Sequence, residues 1–289
     1  MRSAVLGLSS AALLLWAGHA ADAENVDLQL ILTSDVSRSI DNDEFKLERE
    51  GYAAALENPQ VLSAIRSGPI GAIAISFVEW SSVGEQKVVV DWSVIRDGEG
   101  AAVVAAQIRA APRSFVGHTS ISDGLDFAAK RFEVSGHSSP RRVIDVAGDG
   151  TNNSGRPISD ARDDAVAKGV VVNGLAIINL NPNFGFIAHT QPTGGLPAYY
   201  KENVIGGPGS FVMQIDDFES FADAMVQKLV TEISSLPVKP SPSHVRREAT
   251  TTGPSLSHFV GEGFSSEARH CPSTALAGEG GTGCGATGG

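Results

Sequence analysis

Asp35, Ser37 and Ser39 stand at alternate positions in Asp35-Val-Ser-Arg-Ser39, where an apolar run ends, so one carboxylate and two hydroxyls share five residues. Three small hard oxygens converging at one point suit a hard divalent cation better than a soft metal. Two further segments offer the same chemistry, Thr119 in Val116-Gly-His-Thr-Ser-Ile121 and Asp149 in Gly148-Asp-Gly150. Two carboxylates about 7 Å apart repel by about 2 kcal/mol at an effective dielectric of about 20, and a divalent cation between them reverses that sign. With no His or Cys in the set, zinc is a poor match. Mg2+ fits, because it keeps waters and takes few protein ligands, with Mn2+ or Ca2+ as alternatives. If the hydroxyls bind directly and the carboxylates act partly through water, one coordination position stays open for a carboxylate from a protein partner.

The elements that must position these oxygens are readable from periodicity. Val26 to Ser34 alternates and then thickens with β-formers, which predicts a strand whose C-terminal end carries Asp35. Asp41-Asn-Asp-Glu44 resembles a capping box, and Phe45, Tyr52 and Leu56 follow at helical spacing. Gly71 to Trp80 is near-continuously apolar, as a buried strand must be. Gln86 to Ile95 follows across a turn so short that it permits only an antiparallel hairpin, placing this strand at an edge. Helices are expected at Ala101 to Ala111, Ser120 to Phe132, Ser159 to Lys168 and Phe218 to Ile233. Strands are expected at Arg142 to Gly148, Val170 to Ile178 and Phe211 to Ile215. Asn179 to Gly209 is Gly/Pro-rich and shows no assignable pattern. The alternation predicts an α/β fold: a doubly wound, mostly parallel central sheet with one antiparallel edge strand and helices on both faces. In such a sheet Asp35 and Asp149 meet in one crevice at the strands' carboxyl ends.

Composition bounds the rest. Residues 1–23 combine Arg2, the apolar stretch Ala4 to Trp16 and small residues, which reads as a secretory signal peptide cleaved after Ala20 or Ala23. A periplasmic or secreted protein with no membrane span in the mature chain is therefore expected. From residue 236 to 289 Pro, Ser, Thr and Gly dominate, a composition that cannot bury enough apolar surface to offset its ordering entropy, so a disordered tail is expected. Residues 25–235 match a single domain in size. Lys and Arg number 22 against 33 Asp and Glu, and the tail from Pro237 is balanced, so the domain carries the net charge of −11. That argues against nucleic acid and anionic lipid as partners. Cys271 and Cys284 both lie in the tail and can pair only there, so the fold needs no disulfide.

Each site residue has an ordinary reading when taken alone. Ser37, Ser39 and Thr119 can cap helices, and Asp149-Gly150 can be a plain turn. Asp41, Asp43 and Glu44 fit helix capping. His118 reads as a rim residue, and Arg38 and Trp92 as exposed candidates for contact with a partner. An aspartate at a strand end beside Mg2+ can also be the nucleophile of a phosphohydrolase. Such enzymes commonly carry a second carboxylate two residues on, where this chain has Ser37. The binding reading is therefore favoured over a hydrolase using Asp35.

Asp35-x-Ser37-x-Ser39, Thr119 and Asp149, in that order, resemble the metal-ion-dependent adhesion site (MIDAS) of the von Willebrand factor A-like (vWA) domains. Asp35 to Ser39, Arg49-Glu-Gly-Tyr-Ala-Ala-Ala-Leu56 and Asp145-Val-Ala-Gly-Asp-Gly-Thr-Asn-Asn153 look most like a bacterial exported subfamily of undefined function. The resemblance implies a vWA fold over nearly the whole of residues 25–235 and divalent-metal-dependent protein binding, not catalysis. It implies Asp35, Ser37, Ser39, Thr119 and Asp149 as the metal residues. One departure stands out: Gly148 precedes the second aspartate where many relatives carry Ser or Thr.

Overall fold

The computed structural model describes residues 23–178, 192–218 and 220–235. The features expected at residues 1–22 and 236–289, which include most of the signal peptide, the tail and both cysteines, lie outside them.

In chain order the elements are β1 (Glu24–Asn25), β2 (Leu28–Asp35), α1 (Asn42–Glu57), α2 (Pro59–Arg66), β3 (Ile73–Trp80), β4 (Gln86–Ile95), α3 (Gly98–Ala110) and α4 (Ile121–Arg131). They continue as β5 (His137–Ser138), β6 (Arg142–Gly148), α5 (Ile158–Ala167), β7 (Val170–Ile177), α6 (Gly195–Tyr199), β8 (Val212–Ile215) and α7 (Phe221–Ser234). A π-helical turn, Tyr200–Val204, follows α6 directly. Six strands form one sheet in the order β4-β3-β2-β6-β7-β8. Among the described strands of this sheet only the β3–β4 pairing is antiparallel, and β4 is an edge strand, as the short Ser81–Glu85 link requires. The two-residue strands β1 and β5 pair separately.

The strand order reverses at β2. From β2 the chain crosses to β3 on one side, and it later returns to place β6 on the other, with Ser34 opposite Ala147. The carboxyl ends of β2 and β6 therefore form the switch-point crevice, and Asp35 and Asp149 stand at its lip.

Alternation along the strands splits the core in two. Leu28, Leu30 and Leu32 of β2 pack with Tyr52, Leu56, Met225 and Leu229 beneath α1 and α7. Ile31 of β2 packs with Trp80, Leu125, Ile144 and Val146 on the α4 and α5 side. Every residue of β2 and of β3 is buried, because helices cover both faces. Each fully buried Leu or Ile contributes about 1.5–3 kcal/mol.

Helix α1 begins with a complete capping box. Asp41 accepts from the backbone of Asp43 and Glu44, and Glu44 returns a bond to the Asp41 N–H. It ends at Asn58 because Pro59 pushes the preceding residue to extended backbone, and the same proline opens α2 at its first turn. Helix α2 is not among the expected helices, although Val61, Ala64 and Ile65 fall at helical spacing and form its buried face. Trp92 departs from expectation: it is half-buried against Phe132, and its Nε1 donates to the Arg131 carbonyl at 3.0 Å. Arg38 and His118 are exposed, as expected.

Candidate metal centre

Four hydroxyl and carboxylate side chains from three loops touch in a row. Thr119 Oγ1 donates to Ser37 Oγ at 3.2 Å, and Ser37 Oγ and Ser39 Oγ are 3.2 Å apart. Ser39 Oγ donates to Asp149 Oδ1 at 2.7 Å. Asp35 closes the cluster: its Oδ1 accepts from the Ser37 N–H at 2.7 Å, while its Oδ2 is buried with no hydrogen-bond partner. All five residues expected from the sequence are thus brought together. Asp35, Ser37, Thr119 and Asp149 are at most 5% exposed.

None of the three hydroxyls caps a helix through its side chain. For α1 that work is done by Asp41. Helix α4 has no cap from its own flanking Ser120; instead Asn152 Oδ1 accepts from the Ser122 N–H at 3.0 Å. The neighbouring Asn153 Oδ1 accepts from the Thr119 N–H at 2.9 Å, and its own N–H donates to the Thr119 carbonyl at 2.9 Å. Both asparagines follow Asp149, so the loop that carries the second carboxylate also fastens the loop that carries the threonine. Sequence reading missed these two residues, because their partners, Ser122 and Thr119, lie some thirty residues earlier.

The remaining backbone of the crevice is held by Arg113 and by a backbone contact of Arg38. Arg113 Nη2 donates to the Val36 carbonyl at 2.8 Å and to the Ser37 carbonyl at 2.5 Å. The Arg38 N–H donates to the Gly117 carbonyl at 2.9 Å, tying the first loop to the third.

The electrostatics are those of a site short of positive charge. Burial, and then repulsion from Asp149, hold the Asp35 carboxyl well above the usual carboxylate range. Glu48 of α1 accepts from Ser34 Oγ at 2.9 Å one residue before Asp35, and burial pushes its carboxyl up to about 8. Among the described residues no group of three or more His, Cys, Asp or Glu side chains is placed to hold a metal. A cation here depends on hydroxyls, and the donor set of two carboxylates and three hydroxyls fits a hard divalent ion. The buried, unpartnered Asp35 Oδ2 is the acceptor that such an ion or its water would satisfy.

A family model described as "Protein of unknown function (DUF1194)" matches residues 25–237. The chain belongs to that family. Its fold is von Willebrand factor A-like, as the motif implied. Among solved structures, the DUF1194 domain is similar to proximal thread matrix protein 1 from the mussel byssus. The identity is 17%, over 71% of this chain and 47% of that one, with a TM-score of 0.52. Another structure of that mussel protein has a zinc-occupied MIDAS motif, at 16% identity over 74% of this chain and 50% of that one, TM-score 0.51. The pilus adhesin SpaC from Lactobacillus rhamnosus GG matches at 12% identity over 73% of this chain and 31% of that one, TM-score 0.50. The chain spans about half the length of the mussel protein and a third of the adhesin. No curated protein matches the sequence. Among the described residues no helix is long and apolar enough to cross a membrane.

Proposed function

We infer that this DUF1194 domain is an exported, metal-dependent protein-binding module. Asp35, Ser37, Ser39, Thr119 and Asp149 would hold a divalent cation, Mg2+ foremost and Mn2+ or Ca2+ as alternatives. When bound, the cation supplies positive charge and an open coordination position that a partner's carboxylate can take. The observation that carries this reading is the contact row Thr119, Ser37, Ser39, Asp149: three hydroxyls with no capping duty, gathered against two buried carboxylates. A fold merely turning its chain has no reason to assemble them. Ordering these side chains in a crowded, acidic crevice is unfavourable without a ligand.

The residues divide the labour. Asp35 and Asp149 bring the negative charge, Ser37, Ser39 and Thr119 the neutral oxygens, and Asn152 and Asn153 keep the loops in register. A hydrolase with Asp35 as nucleophile commonly carries a second carboxylate two residues on, where this chain has Ser37 in contact with Ser39 and Thr119, which favours binding. Residues 1–23 as a secretory signal and 236–289 as a tail complete the reading, with 25–235 as the folded module.

Calorimetric titration of Mg2+ into the purified chain tests it. Binding by the wild type and its loss in Asp35→Ala, with the melting temperature in chelator retained, are expected. Equal Mg2+ binding by the variant would overturn the assignment.

A further inference from the structure

Tyr200 is fully buried, and its hydroxyl has no hydrogen-bond partner. The ring lies against the middle of β7 and its hydroxyl reaches the last residue of β6, and two glycines make room for it. A Cβ on Gly174 would meet the ring at 2.7 Å, and a Cβ on Gly148 would meet the hydroxyl at 2.9 Å. That same Cβ on Gly148 would stand 3.2 Å from Asp35 Cβ and 3.3 Å from Asp35 Oδ2. The Tyr200 hydroxyl and Asp35 Oδ2 thus border one small space beside the last residue of β6. One is a donor and the other an acceptor, both buried and both unpartnered. The ring is placed there by the π-helical turn Tyr200–Val204 and by its neighbour Tyr199, whose hydroxyl accepts from the Asn152 N–H at 3.1 Å. Single π-helical turns often carry functional side chains.

We propose that Tyr200 is a positioning residue of the metal centre, that its hydroxyl, which makes no bond to Asp35 in this structure, becomes the hydrogen-bond donor to the Asp35 carboxylate when a cation is bound, and that Gly148 is glycine to admit it. This rests on the metal-binding reading above. A serine or threonine at 148 would project its own side chain into the space that the Tyr200 hydroxyl fills. The chain therefore draws its donor from a different element, some fifty residues away.

The test compares Mg2+ affinity by calorimetry for the wild type, Asp35→Asn, Tyr200→Phe, Gly148→Ser and the double variant Tyr200→Phe/Gly148→Ser, with melting in chelator as the measure of the metal-free fold. Tyr200→Phe is expected to keep its melting temperature and to weaken Mg2+ binding about tenfold, the effect of one hydrogen bond to a charged group. Gly148→Ser alone should melt lower, because its Cβ meets the Tyr200 hydroxyl. The double variant should regain both stability and part of the affinity, since it returns a hydroxyl to the vacated space. Unchanged affinity in Tyr200→Phe, with the wild type binding and Asp35→Asn not, overturns the role of Tyr200 and leaves the metal centre standing. A wild type that binds no Mg2+ overturns both. If Tyr200→Phe does not fold, the near-ultraviolet difference spectrum of the wild type on adding Mg2+ decides: a tyrosine signal is expected, and a flat spectrum contradicts the inference.

Discussion

Ser39 Oγ donates to Asp149 Oδ1 at 2.7 Å, joining residues 110 positions apart at the carboxyl ends of two neighbouring strands. The contact places a hydroxyl where it relieves one carboxylate while a second, Asp35, lies buried beside it. Ser39→Ala and Thr119→Ala should leave the metal-free domain within about 1 kcal/mol of wild-type stability, because neither hydroxyl caps a helix. Each should weaken Mg2+ binding about tenfold or more. Urea unfolding in chelator and calorimetry check the two halves of that statement separately.

Asn153 fastens the threonine loop to the aspartate loop through two backbone contacts at Thr119. Asn153→Ala removes the side-chain half of that clasp. It should cost about 1 kcal/mol of stability, as lost caps do, and should also weaken metal binding although Asn153 is not among the residues that would hold the ion. Affinity equal to wild type would show that the loops hold their places without the clasp.

Glu48 gives the metal-free domain a definite pH dependence. Its carboxyl is raised by burial from about 4.5 to about 8, so the folded state holds a proton that the unfolded chain releases. The stabilisation is complete below pH about 4.5 and is lost as pH climbs through about 8, a fall on the order of 5 kcal/mol. Glu48→Gln should remove the Glu48 share of that fall and leave the part due to the other buried carboxyls, Asp35 and Asp145. Urea unfolding in chelator at pH 5 and pH 8, wild type against variant, measures it.

Lys228 is fully buried between Asp145 of β6, at 2.7 Å, and Glu232 of its own helix, at 2.6 Å. Asn173 of β7 donates to the same Glu232 at 2.9 Å, so this group ties α7 to the sheet. Lys228→Met leaves two buried acids without their cation and should destabilise the domain by about 3–5 kcal/mol. Equilibrium denaturation reads this directly, and a loss below about 1 kcal/mol would mean that the acids find another partner.

How much of this was legible in sequence depends on the range of the contacts involved. Strands β2, β3, β6 and β7 are buried on both faces, and their apolar runs announce them. The capping box at Asp41 is local, and so was visible. The five residues that the structure gathers into one cluster were legible as a set because they lie just after a recognisable strand or at the start of a helix. Helix α2 was not, since it begins immediately after α1 and has only Pro59 to mark the break. Tyr200 lies in a Gly/Pro-rich stretch without periodicity, and its role depends on two glycines in other strands. Lys228 and Glu232 form an i, i+4 pair that usually marks a solvated helix face; only the packing of α7 against β6 and β7 shows that they are interior. Trp92 looked like surface on an edge strand, yet α4 and the turn after it cover one side of that strand.

The central claim is that one divalent cation sits among Ser37, Ser39, Thr119, Asp35 and Asp149. Crystals grown with Mn2+ and measured for anomalous scattering test it most directly. A single strong peak within coordination distance of the Ser37, Ser39 and Thr119 hydroxyls, absent from Asp35→Ala crystals, is expected. No peak in that crevice at saturating Mn2+, or one held by other residues, would contradict the account.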